Sequence, residues 1–260
     1  SGACTGTGAC QVTMDADKTV TAHFAQIMHD LTIAIDPVGG GTTSPAAGTY
    51  TYAEGTVIPI TATPASGYTF DHWSGACTGS GACQVAMSGD KSVTAHFTQI
   101  THQLTIAVTP TGSGTTTPAA GTHTYVQGSM VTVTATPAAG YTFDHWSGAC
   151  TGTGACQVAM SGDKSVTAHF AQITHQLTIA VDPVGGGTTS PAAGTYTYAQ
   201  STALTITATP AAGYIFDHWS GACTGNGACQ VIMDADKSVT AHFTQMTHQL
   251  TIAADPAGGG

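Results

Sequence analysis

The chain has 260 residues, of which only 7% are charged, and its net charge is −10. Its basic residues are four lysines, with no arginine, so there is too little positive charge to neutralise phosphates, and nucleic acid is excluded as a partner. The sequence contains no run of 18 apolar residues and therefore predicts no membrane-spanning segment.

The sequence repeats with a period of 73 residues, marked by Trp73, Trp146 and Trp219. Such a period predicts a tandem array of small modules in place of one large domain. We expect whole repeats at 29–101, 102–174 and 175–247, the C-terminal part of a repeat at 1–28, and the start of a further repeat at 248–260. Because both ends fall inside a repeat, we expect the sequence to be part of a longer chain.

The first half of each repeat predicts short strands separated by turns. In the copy at 29–101, Leu31 and Ile33 alternate with smaller or polar residues, which is the period of a half-buried strand. A proline and glycine loop then precedes two further alternating runs, at 49–52 and 58–62. Pro59 lacks a backbone N–H, so we expect its strand to be an edge strand or to carry a bulge.

The second half predicts an aromatic strand at 68–73, a glycine-rich loop with two cysteines, and a final strand at 93–97 whose Val93 and Phe97 point inward. No window has the 3.6-residue apolar period of a helix, and threonine and β-branched residues dominate every run. The predicted module is therefore all-β, with five to seven short strands.

Each repeat carries one C-x5-C pair, in the frame S-G-A-C-T-G-x-G-A-C. A small unit usually needs a covalent or metal staple, and C-x5-C is not a common zinc spacing, so a local disulfide is favoured over paired zinc ligands. Disulfides in turn indicate an oxidising compartment. The predicted pairs are Cys4 with Cys10, Cys77 with Cys83, Cys150 with Cys156, and Cys223 with Cys229.

The linker at 98–103 contains neither glycine nor proline, which predicts an extended and stiff connection. The inward-facing parity changes across it, from Phe97 to Leu104, so successive repeats are expected to be offset. Together these features predict a rod of modules, arranged like beads on a string. The apolar linker residues expected to pack between neighbouring repeats are Ile27, Ile100, Ile173 and Met246.

The order of motifs is specific over the whole length of every repeat: L-T-I-x-x-x-P-x-G-G-G-T, then T-A-T-P-A-x-G-Y-x-F-x-x-W-S-G-A-C, then D-K-x-V-T-A-x-F. In these motifs the sequence resembles the bacterial InlB-type B-repeat in its divergent form. The resemblance implies a compact, β-grasp-like module that serves as a spacer or stalk on secreted and surface proteins. It implies no catalytic site and no cofactor.

Twelve histidines are the feature that could carry chemistry, because repeated imidazoles can bind transition metals or act as pH-sensitive contacts. The candidate ligands in one repeat are His72, His96 and His102. Along one extended strand His96 and His102 would be about 20 Å apart, so joint ligation requires His72 or a neighbouring chain close by. We expect ordinary hydrogen bonds at these histidines, and the sequence shows no evident Ser/His/Asp arrangement.

The resulting hypothesis is an extracellular structural repeat protein that forms a stalk or filament on or outside a bacterial cell and is not an enzyme. Its expected partners are neighbouring repeats of the same chain and other copies in a fibre. Two alternatives stay open: an adhesin or glycan-binding array, and a metal-binding fibre that uses the histidines.

Overall fold

The structure is a computed structural model that describes residues 2–251. These residues form strands, turns and loops without any helix, so this range holds no helix that could cross a membrane, and the all-β prediction is confirmed. The further repeat expected at 248–260 lies outside the described residues from 252 onward, as does residue 1 of the first partial repeat.

Each of the three complete repeats forms seven strands, the upper end of the predicted range. Module 1 contains β1 (Met28–Asp36), β2 (Gly41–Ser44), β3 (Gly48–Ala53), β4 (Val57–Pro64), β5 (Tyr68–Gly75), β6 (Cys83–Ala86) and β7 (Lys91–Gln99). Module 2 contains β8 (Thr101–Thr109), β9 (Gly114–Thr117), β10 (Gly121–Val126), β11 (Met130–Pro137), β12 (Tyr141–Gly148), β13 (Cys156–Ala159) and β14 (Lys164–Gln172). Module 3 contains β15 (Thr174–Asp182), β16 (Gly187–Ser190), β17 (Gly194–Ala199), β18 (Ala203–Pro210), β19 (Tyr214–Gly221), β20 (Cys229–Ile232) and β21 (Lys237–Gln245).

The seven strands of a module divide into two sheets. In module 1 a mixed sheet has the order β3-β1-β7-β5, and an antiparallel sheet has the order β2-β4-β6. The first and last strands of the module, β1 and β7, are neighbours at the centre of the mixed sheet and run parallel, whereas β3 and β5 flank them antiparallel. Modules 2 and 3 repeat the same orders with their own strands.

The hydrophobic core of each module lies between its two sheets. In module 1 the mixed sheet contributes Leu31, Val93 and Trp73, which are at most 3% exposed, and the antiparallel sheet contributes Ile60 and Val85. The strands that supply this core have apolar residues at alternate positions, so one face of each sheet is removed from water and the other stays polar. This alternation is the pattern on which the strand predictions rested.

One glycine of the proline and glycine loop is required by close packing. The ring of Phe97 and the carbonyl oxygen of Thr63 lie so near Gly41 that a Cβ there would overlap both. Gly114 and Gly187 have the same relation to the equivalent phenylalanines. The loop therefore carries glycine where the backbone must lie directly on the core aromatic ring.

The prediction that Pro59 lies in an edge strand is wrong, because β4 is the central strand of the antiparallel sheet. The two neighbours of β4 pair with different halves of it: β6 with Val57–Ile60 and β2 with Thr61–Pro64. Pro59 consequently has a paired strand on one side only, so its missing N–H disrupts no ladder on the other side.

By internal contacts the chain divides into two compact units. The first contains the residues up to His102 together with 124–129 and 160–162, and the second contains 103–123, 130–159 and the residues from Asp163 onward. A single isoleucine separates the last strand of one module from the first strand of the next: Ile100 lies in the first unit and Ile173 in the second.

Candidate functional site

Strand register gathers four polar residues on the outward face of the mixed sheet in module 1. His96 of β7 lies directly opposite Asp36 of β1 on one side and His72 of β5 on the other. Ser74 lies two residues after His72 on β5, diagonal to His96. The core residues Ala95 and Phe97 point inward, which turns His96 outward as the sequence parity predicts.

A β-bulge in β5 determines which of its side chains point inward and which point outward. The register between β5 and β7 shifts between Phe70 and His72, with Asp71 as the extra residue. Phe70 packs inward against Phe97, with ring centroids 5.7 Å apart, whereas His72 and Ser74 lie outward beside His96. Without the bulge, Phe70 and His72 would share a face, because they are two residues apart in the strand.

Both ring nitrogens of His96 are hydrogen-bonded. Its Nε2 lies 2.8 Å from the hydroxyl oxygen of Ser74, and its Nδ1 lies 3.1 Å from the carboxylate Oδ2 of Asp36. The carboxylate can only accept, so Nδ1 carries a proton and, in the neutral ring, Nε2 accepts the proton of Ser74. The expectation that no Ser/His/Asp arrangement occurs is therefore wrong.

A second imidazole covers this chain of hydrogen bonds. The rings of His72 and His96 are stacked, with centroids 4.5 Å apart and an interplanar angle of 11°. His72 is itself held by Asp71, whose Oδ2 lies 3.1 Å from its Nδ1. The stacking and the two carboxylates together fix the plane of the His96 ring.

Module 3 reproduces the arrangement and module 2 lacks one member. In module 3, His242 bonds Ser220 at 2.7 Å and Asp182 at 3.2 Å. In module 2, His169 bonds Ser147 at 2.7 Å and stacks on its partner ring, but the residue paired with it on β8 is Thr109. Within residues 2–251 there are thus two complete Ser–His–Asp sets and one set without the carboxylate.

The three candidate metal ligands do not converge. His72 and His96 meet as a stacked pair, but His102 lies on β8, the first strand of module 2. Its equivalents His29 and His175 face an aspartate of their own module, with Nδ1 to Oδ1 distances of 3.9 and 3.8 Å. Among residues 2–251 no group of three or more metal-ligating side chains comes together.

The cysteine pairs form disulfides that close the loop after the aromatic strand. All eight cysteines are paired as the spacing suggested, with Cα atoms 5.4 to 5.8 Å apart. In module 1 the loop folds over Trp73, whose indole N–H donates to the Gly81 carbonyl at 3.1 Å. Cys77 and Cys83 are buried there, so the disulfide belongs to the core of the module.

The linker isoleucines connect neighbouring modules through their backbone. Ile100 donates its N–H to the Gly67 carbonyl at 2.8 Å and accepts the Gln127 N–H at 2.9 Å. Ile173 makes the same two bonds, to Gly140 and from Gln200, at 2.8 and 2.9 Å. The predicted packing of the linker side chains between repeats stays a prediction: Ile100 and Ile173 are half-buried, whereas Ile27 and Met246 are exposed.

A shallow cleft recurs beside the proline and glycine loops of modules 2 and 3, with volumes of about 390 and 380 Å³. In module 3 its lining residues are small or aliphatic, including Val184, Thr189 and Ala192. The lining contains no aromatic ring on which a sugar could stack, so the glycan-binding alternative gains no support from it.

The residues that sequence reasoning missed are Asp36 and Ser74, together with Asp182 and Ser220. Asp36 appears in the sequence as the start of a turn and Ser74 as the start of the cysteine loop. A signal was present for Asp36, which follows the strand at 31–35 at a parity that places it outward. Ser74 has the same sequence parity as the inward-facing Phe70 and faces outward only because of the bulge at Asp71. Only the strand order brings them to His96.

The fold and the linkers define an all-β protein of tandem, disulfide-stapled modules. The family model of the divergent InlB B-repeat domain matches residues 31–101, 104–174 and 177–247, so the chain belongs to this family. No curated protein matches the chain. Among solved structures it is similar to the Bacillus anthracis TIE protein, with a TM-score of 0.44 and 10% identity. That match covers 83% of this chain, which spans only 49% of the other.

Proposed function

We propose that this chain is an extracellular structural protein whose modules form a stalk or filament that carries mechanical tension. The observation that carries the proposal is the parallel pairing of β1 with β7, which extends over six residue pairs from Leu31↔Lys91 to Asp36↔His96. These are the strands through which the chain enters and leaves the module.

Tension along the chain loads this pair in shear. It pulls the start of β1 in one direction and the end of β7 in the other, along the strand axes. Because the strands are parallel, the hydrogen bonds between them must yield together and cannot open one after another. Modules 2 and 3 have the same parallel pair, between β8 and β14 and between β15 and β21.

Two further features support a mechanical role outside the cell. In each of the three modules the disulfide links the first residue of the short strand β6, β13 or β20 to a cysteine two residues beyond the aromatic strand. A module that yields to force therefore keeps this seven-residue loop closed. At the linker, the backbone bonds of Ile100 and Ile173 tie each module to the next. Disulfides persist in oxidising surroundings, in agreement with an extracellular location.

The test is single-molecule stretching of the full chain by atomic force microscopy. We expect three separate unfolding peaks, each followed by an extension of roughly 200 Å. The residues of one module outside its disulfide loop span roughly 220–240 Å when extended at 3.3–3.6 Å per residue, and the folded module already spans roughly 30 Å of this length. Modules that extend gradually without resolved peaks would contradict the proposal.

A proline substitution separates shear resistance from general stability. Asp30 donates its N–H to Asp90, just before β7, and the alternation along β1 then turns the N–H of Ala34 toward β7 as well. Ala34→Pro should remove that bond and lower one of the three peaks. Thr132→Pro is the matched control, because it places proline where module 1 already has Pro59, and it should leave all three peaks unchanged.

A further inference from the structure

The hydrogen-bonded row Ser74–His96–Asp36 has the geometry that activates a serine. An effective nucleophile needs a base within hydrogen-bonding distance of its hydroxyl and a third group that orients the base. The distances of 2.8 Å from Oγ to Nε2 and 3.1 Å from Nδ1 to Oδ2 satisfy both requirements. Ser220, His242 and Asp182 satisfy them a second time.

The carboxylate decides which imidazole nitrogen acts as the base. Asp36 holds the proton on Nδ1 of His96, so the lone pair of Nε2 faces the hydroxyl of Ser74. It also stabilises the imidazolium that forms when the ring takes up the serine proton. The stacked ring of His72 prevents His96 from rotating away from this position.

The site is open to reagents. Ser74 lies on the outward face of the mixed sheet, and the side chains of His96 and Asp36 are 26% and 67% exposed. An open site excludes water less well than a pocket does, so its stabilisation of charge in the transition state is modest. We therefore expect the serine to be acylated once, without rapid turnover of the ester.

We infer that Ser74 and Ser220 are nucleophilic serines that accept an acyl group from activated carboxylic esters. The Oγ of Ser74 attacks the ester carbonyl carbon while Nε2 of His96 takes the hydroxyl proton. The bond between the carbonyl carbon and the leaving oxygen then breaks, and the leaving alcohol or phenol receives that proton. The products are an O-acyl serine and the free alcohol or phenol, with no oxidation or reduction.

Module 2 provides a control within the same molecule. Ser147 and His169 keep the hydroxyl and the base at 2.7 Å, but Thr109 replaces the carboxylate. Thr109 has no carboxylate to hold the Nδ1 proton of His169 or to compensate the imidazolium charge from this position. Ser147 should therefore react more slowly than Ser74 and Ser220.

The experiment treats the full chain with p-nitrophenyl acetate and maps stable acetyl groups by mass spectrometry. Trypsin cleaves after Lys91, Lys164 and Lys237 and so places each of the three serines on its own peptide. We expect similar rates at Ser74 and Ser220 and a rate about 10-fold lower at Ser147, because orientation of the base by a carboxylate contributes at least this much. Equal rates at all three serines, or no acetylation of any of them, would overturn the inference.

Three variants test the roles one at a time. His96→Gln should slow Ser74 by roughly 100-fold, the lower range for a positioned general base, and leave Ser220 as an unchanged internal reference. Asp36→Asn should lower the rate at Ser74 to that of Ser147. Thr109→Asp should raise Ser147 to the rate of Ser74, a gain that damage to the fold cannot produce. An unchanged rate at Ser74 in H96Q would contradict the assignment.

Discussion

Residues 2–27 and 75–100 have nearly the same sequence, differing at only six positions, but they have different structures. In module 1, Phe97 and Val93 are 5% and 1% exposed as part of β7. Their counterparts Phe24 and Val20 are 94% and 48% exposed, and 2–27 contains no strand comparable to β7. Nearly identical sequences thus form a buried strand in one place and an exposed segment in the other.

This difference shows which contacts form between residues close in sequence and which require strands from distant parts of the sequence. Residues 2–27 keep the contacts made over short sequence distances: the Cys4–Cys10 disulfide and the ion pair between Lys18 and Asp15. They lack the contacts that β7 makes with β1 and β5, because the described residues contain no strands that stand in this relation to residues 2–27. Strand β7 is consequently produced by its neighbours in the sheet and not by its own β propensity.

The largest expected effect is the loss of a core aromatic ring. Phe97→Ala should destabilise module 1 by about 3–5 kcal/mol, because it leaves a cavity between the two sheets. Phe24→Ala is the matched control and should change nothing, since its ring is already exposed. The measurement is native-state hydrogen exchange of the β1 amides, which reports the free energy of opening of this module alone.

A change in the hydrogen exchange of the β1 amides caused by Phe24→Ala would contradict this comparison of the two segments. It would mean that the Phe24 ring packs on module 1, beyond the backbone bond that the Ile27 carbonyl accepts from the Glu54 N–H. Equal losses from the two substitutions would have the same meaning.

A smaller effect is expected from the disulfides. The double substitution Cys77→Ser with Cys83→Ser should lower the stability of module 1 by about 2 kcal/mol, from the loop entropy of a seven-residue ring. Cys4→Ser with Cys10→Ser should leave module 1 unchanged, because that ring belongs to no folded core. Urea unfolding followed by hydrogen exchange in each module would distinguish them, and a loss from the second pair would contradict the comparison.

Alternating hydrophobic residues were enough to predict the strands that supply the core and their buried face, and the recurring tryptophans were enough to predict the module length. Apolar residues lie at every second position at 31 and 33 and again at 93, 95 and 97, and each is buried. The cysteine spacing was informative for a similar reason, since a ring of seven residues depends only on its own chain. In these features, residues that are close in sequence are also close in space.

The candidate site could not be predicted because it depends on strand order and on a bulge. Asp36 and His96 are 60 residues apart and meet only because β1 pairs in parallel with β7. His72 and Phe70 have the same parity in the sequence, and the extra residue Asp71 places them on opposite faces. The error at Pro59 has a similar origin, since a central strand can have two neighbours that each cover half of it.

The smallest expected effect concerns a contact between residues three positions apart, which occurs both in residues 2–27 and in module 3. Hydrogen bonding from Lys18 lowers the pKa of Asp15 below its ordinary value, and hydrogen bonding from Lys237 lowers the pKa of Asp234 in the same way. One aspartate lies in the exposed segment and the other in a folded module, at equivalent positions. Because the contact spans only three residues, we expect both pKa values to be lowered, whatever the surrounding fold.

The sign of the pH effect follows from the lowered pKa. A carboxylate whose pKa is lower in the structured turn than in the unfolded chain stabilises the turn above its ordinary pKa, and this contribution is lost as the pH falls through the lowered value. NMR titration of the side-chain carboxyls should show both shifts, and Lys18→Gln or Lys237→Gln should abolish the corresponding one. A lowered pKa at Asp234 but not at Asp15 would mean that the contact needs the module around it, and local interactions would then not explain what residues 2–27 retain.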